Sequence, residues 1–293
     1  MAGTCSFRGN AGGWAGALLE VDLSRGVSRR VPLDRATLGE WLGGRGLAVY
    51  LLQAMGQAGR DPLDEDAVLL FLAGPLSGSP VPFSGKACVA AVSPLIGLLA
   101  YASVGGRLGP AVRAAGLDGV AIRGRCPVPS VVLIDEAGGA RVVPRPDLWG
   151  LKTAGAAASL PGAAAVIGPA GENGVRFACI IHEGHAAGRG GLGAVMVGKN
   201  LKALAVAPPS RPRLPRPADE AALQRALEAS RRALASNAFI RTMLDGYRAL
   251  GTSVGVEQQG VLGGLPARNF STGTEPGWET PPGLRAGVTG LGF

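Results

Sequence analysis

The chain has 293 residues, 47% of them hydrophobic, enough to bury one sizeable core and a smaller second piece. Its formal charge of +8 suits an anionic partner, but no basic helix interleaved with aromatics appears, which argues against nucleic-acid binding. Cys5, Cys88, Cys126 and Cys179 lie far apart with no C-x-x-C pair, against a disulfide framework and against a self-contained zinc or iron–sulfur site.

Leu19, Val21 and Leu23 alternate with Glu20, Asp22 and Ser24, which predicts a strand, and Ser24-Arg25-Gly26 supplies a hairpin turn. Asp34 is placed to cap a short helix running through Trp41 and Leu42. Gly43-Gly44-Arg45-Gly46 should then break the chain before a helical run, Leu47 to Met55. Val68 to Leu72 reads as a buried strand ended by Gly74-Pro75, and Leu76 to Gly85 as a shaped loop closed by Lys86. Ala87 to Val92 is another strand, and Gly97 to Gly109 holds a glycine-rich loop. A helix over Pro110 to Ala115, a strand over Val120 to Arg123 and a hairpin over Val131 to Asp135 and Ala140 to Val143 follow. The longest apolar run, Val89 to Val104, is interrupted by Ser93, Pro94 and Gly97. The expectation is a soluble, cytoplasmic protein with no membrane partner.

The densest stretch runs from Gly168 to Val206 and combines a Gly-Pro turn, an apolar strand, two histidines, a glycine loop and a second strand. It repeats an earlier grammar. Ala87-Cys88 begins a strand leading to Gly105-Gly106-Arg107-Leu108-Gly109, and Ala178-Cys179 begins one leading to Arg189-Gly190-Gly191-Leu192-Gly193. Two related halves would place two glycine loops on opposite sides of one ligand. Arg45, Lys86, Arg107 and Arg189 each sit in or against such a loop, where backbone N–H groups and a cation together bind phosphate. Cys88 and Cys179 take matching strand positions and read as buried small hydrophobes.

Gly188 to Gly193 formally matches G-x-G-x-x-G, but no acidic residue stands between Glu183 and Asp219 to hold a ribose, which argues against a dinucleotide. His182-Glu183-Gly184-His185 lacks the spacing of a helical zinc motif and reads as turn histidines bonded to backbone or ligand. No nucleophilic or acid–base set is assembled in the sequence. Ser210 to Pro217 is a proline-rich cationic linker, and Asp219-Glu220 opens a helix with Leu223, Leu227 and Leu234 on one face.

Trp41 to Tyr50 (W-L-G-G-R-G-L-A-V-Y), Asp61 to Leu63 (D-P-L), Gly74 to Gly85 (G-P-L-S-G-S-P-V-P-F-S-G), Ser93 to Gly97 (S-P-L-I-G), Gly168 to Asn173 (G-P-A-G-E-N) and Gly188 to Met196 (G-R-G-G-L-G-A-V-M) together resemble the N-terminal domain of the tungsten-containing aldehyde ferredoxin oxidoreductases. The resemblance covers about residues 7 to 207, and Leu265 to Gly273 (L-P-A-R-N-F-S-T-G) looks like the family's entry into its second domain. It implies an α+β fold of two related halves with large β-sheets and short helices, followed by the start of a helical domain. The boundaries expected are 1–209 for the first domain, 210–217 for the linker and 218–293 for the start of the second.

The same resemblance implies a tungsten or molybdenum bis-pterin cofactor lying on this domain, with magnesium held by the backbone carbonyls of Ser103 and Ala186. Its other contacts would be Lys86, Gly105, Gly106, His185, Ala187, Gly188 and Arg189. Three departures stand out: Lys86 and Ser103 replace the family's arginine and asparagine, and no arginine separates His185 from Ala186-Ala187. The family's cluster cysteines follow the N-F-x-T-G motif, and the sequence stops at Phe293 before they would begin. A 4Fe-4S cluster on this chain alone is therefore not expected. The expectation is one piece of a split or truncated aldehyde:ferredoxin oxidoreductase, its partners a separate helical iron–sulfur subunit and ferredoxin. The rival is a non-catalytic remnant or accessory subunit that binds a phosphorylated ligand or a partner protein.

Overall fold

A computed structural model describes residues 12–208, 210–211, 214, 216–251, 255, 259, 262–269 and 271–273. Cys5, the residues after 273 and the start of the expected family match lie outside them. The chain divides into two units, Met1–Glu220 and Ala221–Phe293.

The first unit begins with β1 (Ala17–Asp22) and β2 (Val27–Pro32), then α1 (Arg35–Trp41), α2 (Gly44–Ala54), β3 (Leu69–Ala73), β4 (Ala87–Val92), β5 (Leu99–Val104), α3 (Leu108–Ala114) and β6 (Gly119–Arg123). It continues with β7 (Ser130–Ile134), β8 (Ala140–Pro144), α4 (Thr153–Ala158), β9 (Ala163–Val166), α5 (Pro169–Glu172), β10 (Ile180–His182), β11 (His185–Ala187), α6 (Leu192–Gly198) and β12 (Leu201–Val206). The strands form two six-stranded sheets ordered β2-β1-β6-β3-β4-β5 and β8-β7-β12-β9-β10-β11.

Strand for strand these are the same topology. Each sheet opens with an antiparallel hairpin (β1–β2, β7–β8) and has one parallel pair (β1–β6, β7–β12). The remaining pairs are antiparallel in both. The repeat anticipated from two glycine loops is thus a duplication of the whole half, an α+β fold.

The duplication explains the core. Leu19, Val21, Phe71 and Val89 of the first sheet and Ile134, Ala165 and Leu204 of the second belong to one buried cluster. The related helices α3 and α6 each contact strands of both sheets. The outer face of the first sheet packs Leu18, Leu70 and Ala121 under Leu38, Leu47 and Leu51 of α1 and α2. The outer face of the second packs Val131, Ala203 and Ala205 near Leu148 and Ala157. β3 is buried on both faces, which is why it reads as an unbroken apolar run rather than an alternation. Among the described residues each half buries an ion pair, Arg113–Asp118 in the first and Lys202–Glu172 in the second.

Several expectations need correction. Gly43 to Gly46 do not break the chain; Gly43 precedes α2 and the next three residues form its first turn. Gly168-Pro169 is no simple turn: Pro169 opens α5, where its missing N–H costs nothing. The strand after Ala178 starts only at Ile180, so Cys179 is not a strand residue, and it is half-exposed rather than buried. β5 and β9 were not anticipated, because β5 is an edge strand with exposed Tyr101 and Ser103 and β9 is a run of alanines with low strand propensity.

In the second unit α7 (Glu220–Ser236) and α8 (Ala238–Leu250) are helical, the latter capped by Asn237, whose side chain accepts from Ile240 N at 3.1 Å. Leu227 of α7 is buried and Leu223 and Leu234 are half-buried, the face read from the sequence. Ala267 and Thr272 bridge across a turn in which Arg268 and Asn269 have positive φ. Among the described residues no helix is long and apolar enough to cross a membrane.

Candidate functional site

Corresponding edge strands of the two sheets lie next to each other, β5 beside β11. An edge strand carries a row of backbone N–H and C=O groups that no neighbour in its own sheet satisfies. A cavity of ≈ 650 Å³ opens between these edges, lined by Tyr101, Ala102, Ser103, Ala186, Gly188 and Arg189. Four expected site residues, Ser103, Ala186, Gly188 and Arg189, therefore meet, although more than eighty positions separate the first two in sequence.

Gly105 and Gly106 follow β5 and turn against the β10–β11 hairpin. A methyl group at Gly105 would stand 3.0 Å from the His185 ring. One at Gly106, whose φ is +77°, would stand 2.7 Å from Glu183 Oε2 and 2.7 Å from His182 Cδ2. Only glycine lets this loop lie so close. The second loop behaves alike: a methyl at Gly190 would stand 2.8 Å from Ala100 Cβ of β5. Each half's glycine loop thus packs on the other half.

The hairpin is closed by a two-residue turn, Glu183-Gly184, with φ of +47° and +77°. Both values are positive, as the favoured tight hairpin turn requires. His182 pairs with His185 across it, and Ala186 with Ile181, so the strand closes with no inserted arginine before Ala186-Ala187. Ala186 is exposed on the cavity side and Ala187 is buried. His182 is buried, with Nδ1 2.8 Å from the Ala164 carbonyl oxygen and Nε2 3.3 Å from Glu183 Oε2.

Glu183 clasps the first glycine loop. Its Oε1 accepts from Arg107 Nε at 2.6 Å and its Oε2 from the Arg107 backbone N at 3.0 Å. Burial works to raise the Glu183 pKa, but the bonds from Arg107 and the proximity of His182 outweigh it and hold the carboxyl below its ordinary range. Arg107 is thus ion-paired with Glu183, although most of its side chain remains exposed. Arg45 is also engaged: Nη1 donates to Tyr101 Oη at 2.8 Å and the guanidinium lies 5.2 Å from the Tyr101 ring centroid. Arg189 lines the cavity. Lys86 is exposed beside the first loop, where a methyl at Gly109 would approach its carbonyl to 3.2 Å.

Tyr101 and Glu183 were missed as site residues. Tyr101 falls in the unanticipated β5, and the partner of Glu183 lies in the other half of the duplication. Cys179 Sγ stands 3.8 Å from the Gly188 carbonyl oxygen, under the second loop. Among the described residues no group of three or more His, Cys, Asp or Glu is placed to hold a metal ion.

The site suits a phosphorylated cofactor that needs backbone approach. Glycines in both loops sit where a Cβ would collide, two edge strands border the cavity, and Arg189 in its wall supplies positive charge; Lys86, expected there, is exposed but does not line the cavity.

The family described as "Aldehyde ferredoxin oxidoreductase, N-terminal domain" matches residues 18–208. The tungsten-containing aldehyde ferredoxin oxidoreductase of Pyrococcus furiosus is 39% identical over 203 residues, 67% of this chain and 33% of that protein. Its counterpart in Pyrococcus horikoshii is 34% identical over 269 residues, 89% of this chain and 43% of that protein. An aliphatic sulfonate oxidoreductase, WOR-like subunit, of Pyrococcus furiosus is 35% identical over 213 residues, covering 64% of this chain and 34% of its own. Among solved structures, the active site complex BamBC of benzoyl coenzyme A reductase superposes with a TM-score of 0.66 at 31% identity, over 69% of this chain and 32% of that one. The chain spans less than half the length of these relatives. Through residues 18–208 the chain belongs to the aldehyde ferredoxin oxidoreductase family, in the part that is its N-terminal domain.

Proposed function

We propose that this chain supplies the cofactor-cradling domain of a tungsten or molybdenum aldehyde:ferredoxin oxidoreductase. The observation that carries the reading is the cavity between β5 and β11, where Ser103 and Ala186 of opposite halves share one wall system with Gly188 and Arg189. The bis-pterin metal centre, when bound, would supply the redox chemistry, taking two electrons from an aldehyde as water provides the carboxylate oxygen.

The residues of this chain bind and orient. Arg189 and Lys86 neutralise pterin phosphate, and Gly105, Gly106 and Gly188 let backbone N–H groups approach it. His185 packs on Gly105 and fixes that loop, while Ala186 and Ala187 keep the hairpin wall low. The carbonyls of Ser103 and Ala186, on facing edge strands, are the groups we assign to magnesium. Glu183, bonded to the Arg107 side chain and backbone N, holds the first glycine loop in place.

The iron–sulfur cluster we assign to helical domains outside residues 18–208, with ferredoxin as electron acceptor of the whole enzyme. The test is metal and pterin analysis of the chain purified together with helical domains that carry C-x-x-C-x-x-x-C. Pterin with tungsten or molybdenum in the purified complex is expected. Their joint absence would contradict the reading and favour an accessory subunit.

A further inference from the structure

The β10–β11 hairpin buries a titratable ring that the cofactor reading leaves without a role. His182 ends β10 with its side chain fully buried, and Glu183 follows it in the turn. His182 Nδ1 lies 2.8 Å from the Ala164 carbonyl oxygen. A carbonyl oxygen only accepts, so this nitrogen carries a proton. Nε2 is sealed from solvent with no hydrogen-bond partner, and Glu183 Oε2 stands 3.3 Å from it.

Those surroundings decide the state of the ring. With Nδ1 protonated, a neutral imidazole turns its Nε2 lone pair towards a carboxylate oxygen, acceptor against acceptor in a buried place. A proton on Nε2 converts the same contact into an attraction between opposite charges. The Glu183 carboxyl is in the form to receive it: burial works to raise its pKa, but the bonds from Arg107 hold it below its ordinary range. Two things oppose the charge, burial of the ring and the like charge of Arg107, whose side chain is 76% exposed and therefore screened by solvent. His185 is the titratable group across the hairpin, and β9 and β10 carry no other.

One carboxylate thus joins the two halves. Its Oε2 faces His182 Nε2 and accepts from the Arg107 backbone N at 3.0 Å, while Oε1 accepts from Arg107 Nε at 2.6 Å. Gly106 rests directly on the pair, since an added methyl would lie 2.7 Å from both Glu183 Oε2 and His182 Cδ2. The loop so held continues β5, whose Ser103 lines the cavity.

The duplicated fold supplies an internal control. The corresponding hairpin of the first half joins β4 to β5 through Ser93-Pro94-Leu95-Ile96-Gly97-Leu98, without a charged residue. The second glycine loop meets it through apolar groups: a methyl at Gly190 would stand 2.8 Å from Ala100 Cβ, and one at Gly191 3.1 Å from Pro94 Cγ. The shared topology therefore does not itself require a charged clamp.

We propose that His182 is a positioning residue: held as an imidazolium, it fixes the Glu183 carboxylate, which clamps the first glycine loop of one half to the hairpin of the other. Its service to the cavity rests on the cofactor reading, but the clamp needs no cofactor, and its failure leaves that reading standing.

The test follows the full chain from about pH 5 to about pH 9, the range that spans histidine titration. Long-range proton–nitrogen spectra read the ring state, and His182→Gln separates the signals of the chain's two histidines. Amide protection at Gly105 to Arg107, corrected for intrinsic exchange, reads the clamp. Both ring nitrogens of His182 should be protonated at about pH 5, and protection should fall about tenfold as Nε2 loses its proton. His182→Gln, which offers a donor near the place of Nε2 that does not titrate, should keep protection level; His182→Phe should be low throughout. A ring neutral at about pH 5 would overturn the proposal, as would wild-type protection that stays level or a glutamine variant that falls as the wild type does. Circular dichroism checks each fold, and the wild-type measurements decide if a buried substitution does not fold.

Discussion

Glycine is demanded at position 106 for two separable reasons. Its φ of +77° is strained for any L side chain, and a Cβ there would collide with Glu183 and His182. Gly184 has the same φ of +77° with nothing within 4 Å of the added carbon. Gly184→Ala should therefore cost only the backbone term, about 1 kcal/mol, and Gly106→Ala about 2–3 kcal/mol. Urea unfolding of the two variants separates strain from collision; equal losses would contradict the close packing of the loop on the hairpin. Glu183→Gln should cost about 1 kcal/mol, because Arg107 is mostly solvated and its pairing screened. Its larger effect should be on amide exchange at Gly105 to Arg107, which should quicken once the clasp opens. Unchanged exchange there would remove Glu183 from the role given to it.

At the scale of elements, local chemistry made much of the fold legible. Asp34 caps α1 through Thr37 N at 2.8 Å, Ser24 to Gly26 turn the β1–β2 hairpin, and Val68 to Leu72 names a central strand. What escaped were elements defined by their surroundings. The alanines of β9 become a strand because β10 and β12 flank them, and β5 because its exposed residues border a cavity. The cavity residues Ser103, Ala186, Gly188 and Arg189 were legible through motif resemblance. Glu183 was not, since its partner lies 76 residues away. Element docking also rests on such distant pairs. Asp118 ahead of β6 accepts from Ala15 N and Ala17 N at 3.1 and 3.0 Å and pairs with buried Arg113 of α3. Asp118→Ala should leave that guanidinium unpaired and cost about 3–5 kcal/mol, read from chemical denaturation. A loss below about 1 kcal/mol would show that the pair is not buried as described.

For the molecule as a whole, two copies of one topology must be held in register, and Lys199 does this away from the cavity. Its Nζ donates to the Glu65 carbonyl at 3.0 Å and the Gly124 carbonyl at 3.4 Å, tying the residue after α6 to the first half. Burial pushes its pKa down to about 8, against the attraction of Asp64, Asp66 and Glu65. The unfolded chain keeps the proton up to about 10.5, so between those values it binds more protons than the folded chain, and stability rises with pH. Below about pH 8 both states are protonated and the full cost of burying the charge is present. Wild-type stability relative to Lys199→Met should therefore climb from pH 8 towards 10.5, and a flat difference would contradict the assignment.

In the proposed function the facing edges of β5 and β11 hold the cofactor. Ala186 is exposed on that wall, so Ala186→Leu narrows the cavity without touching the core. The decisive measurement is pterin and tungsten or molybdenum content per chain in the co-expressed complex, wild type against Ala186→Leu, with matched thermal melts. Bound pterin and metal are expected in the wild type, and a loss of most of both in the folded variant. Equal content in the two proteins, or none in either, would contradict it.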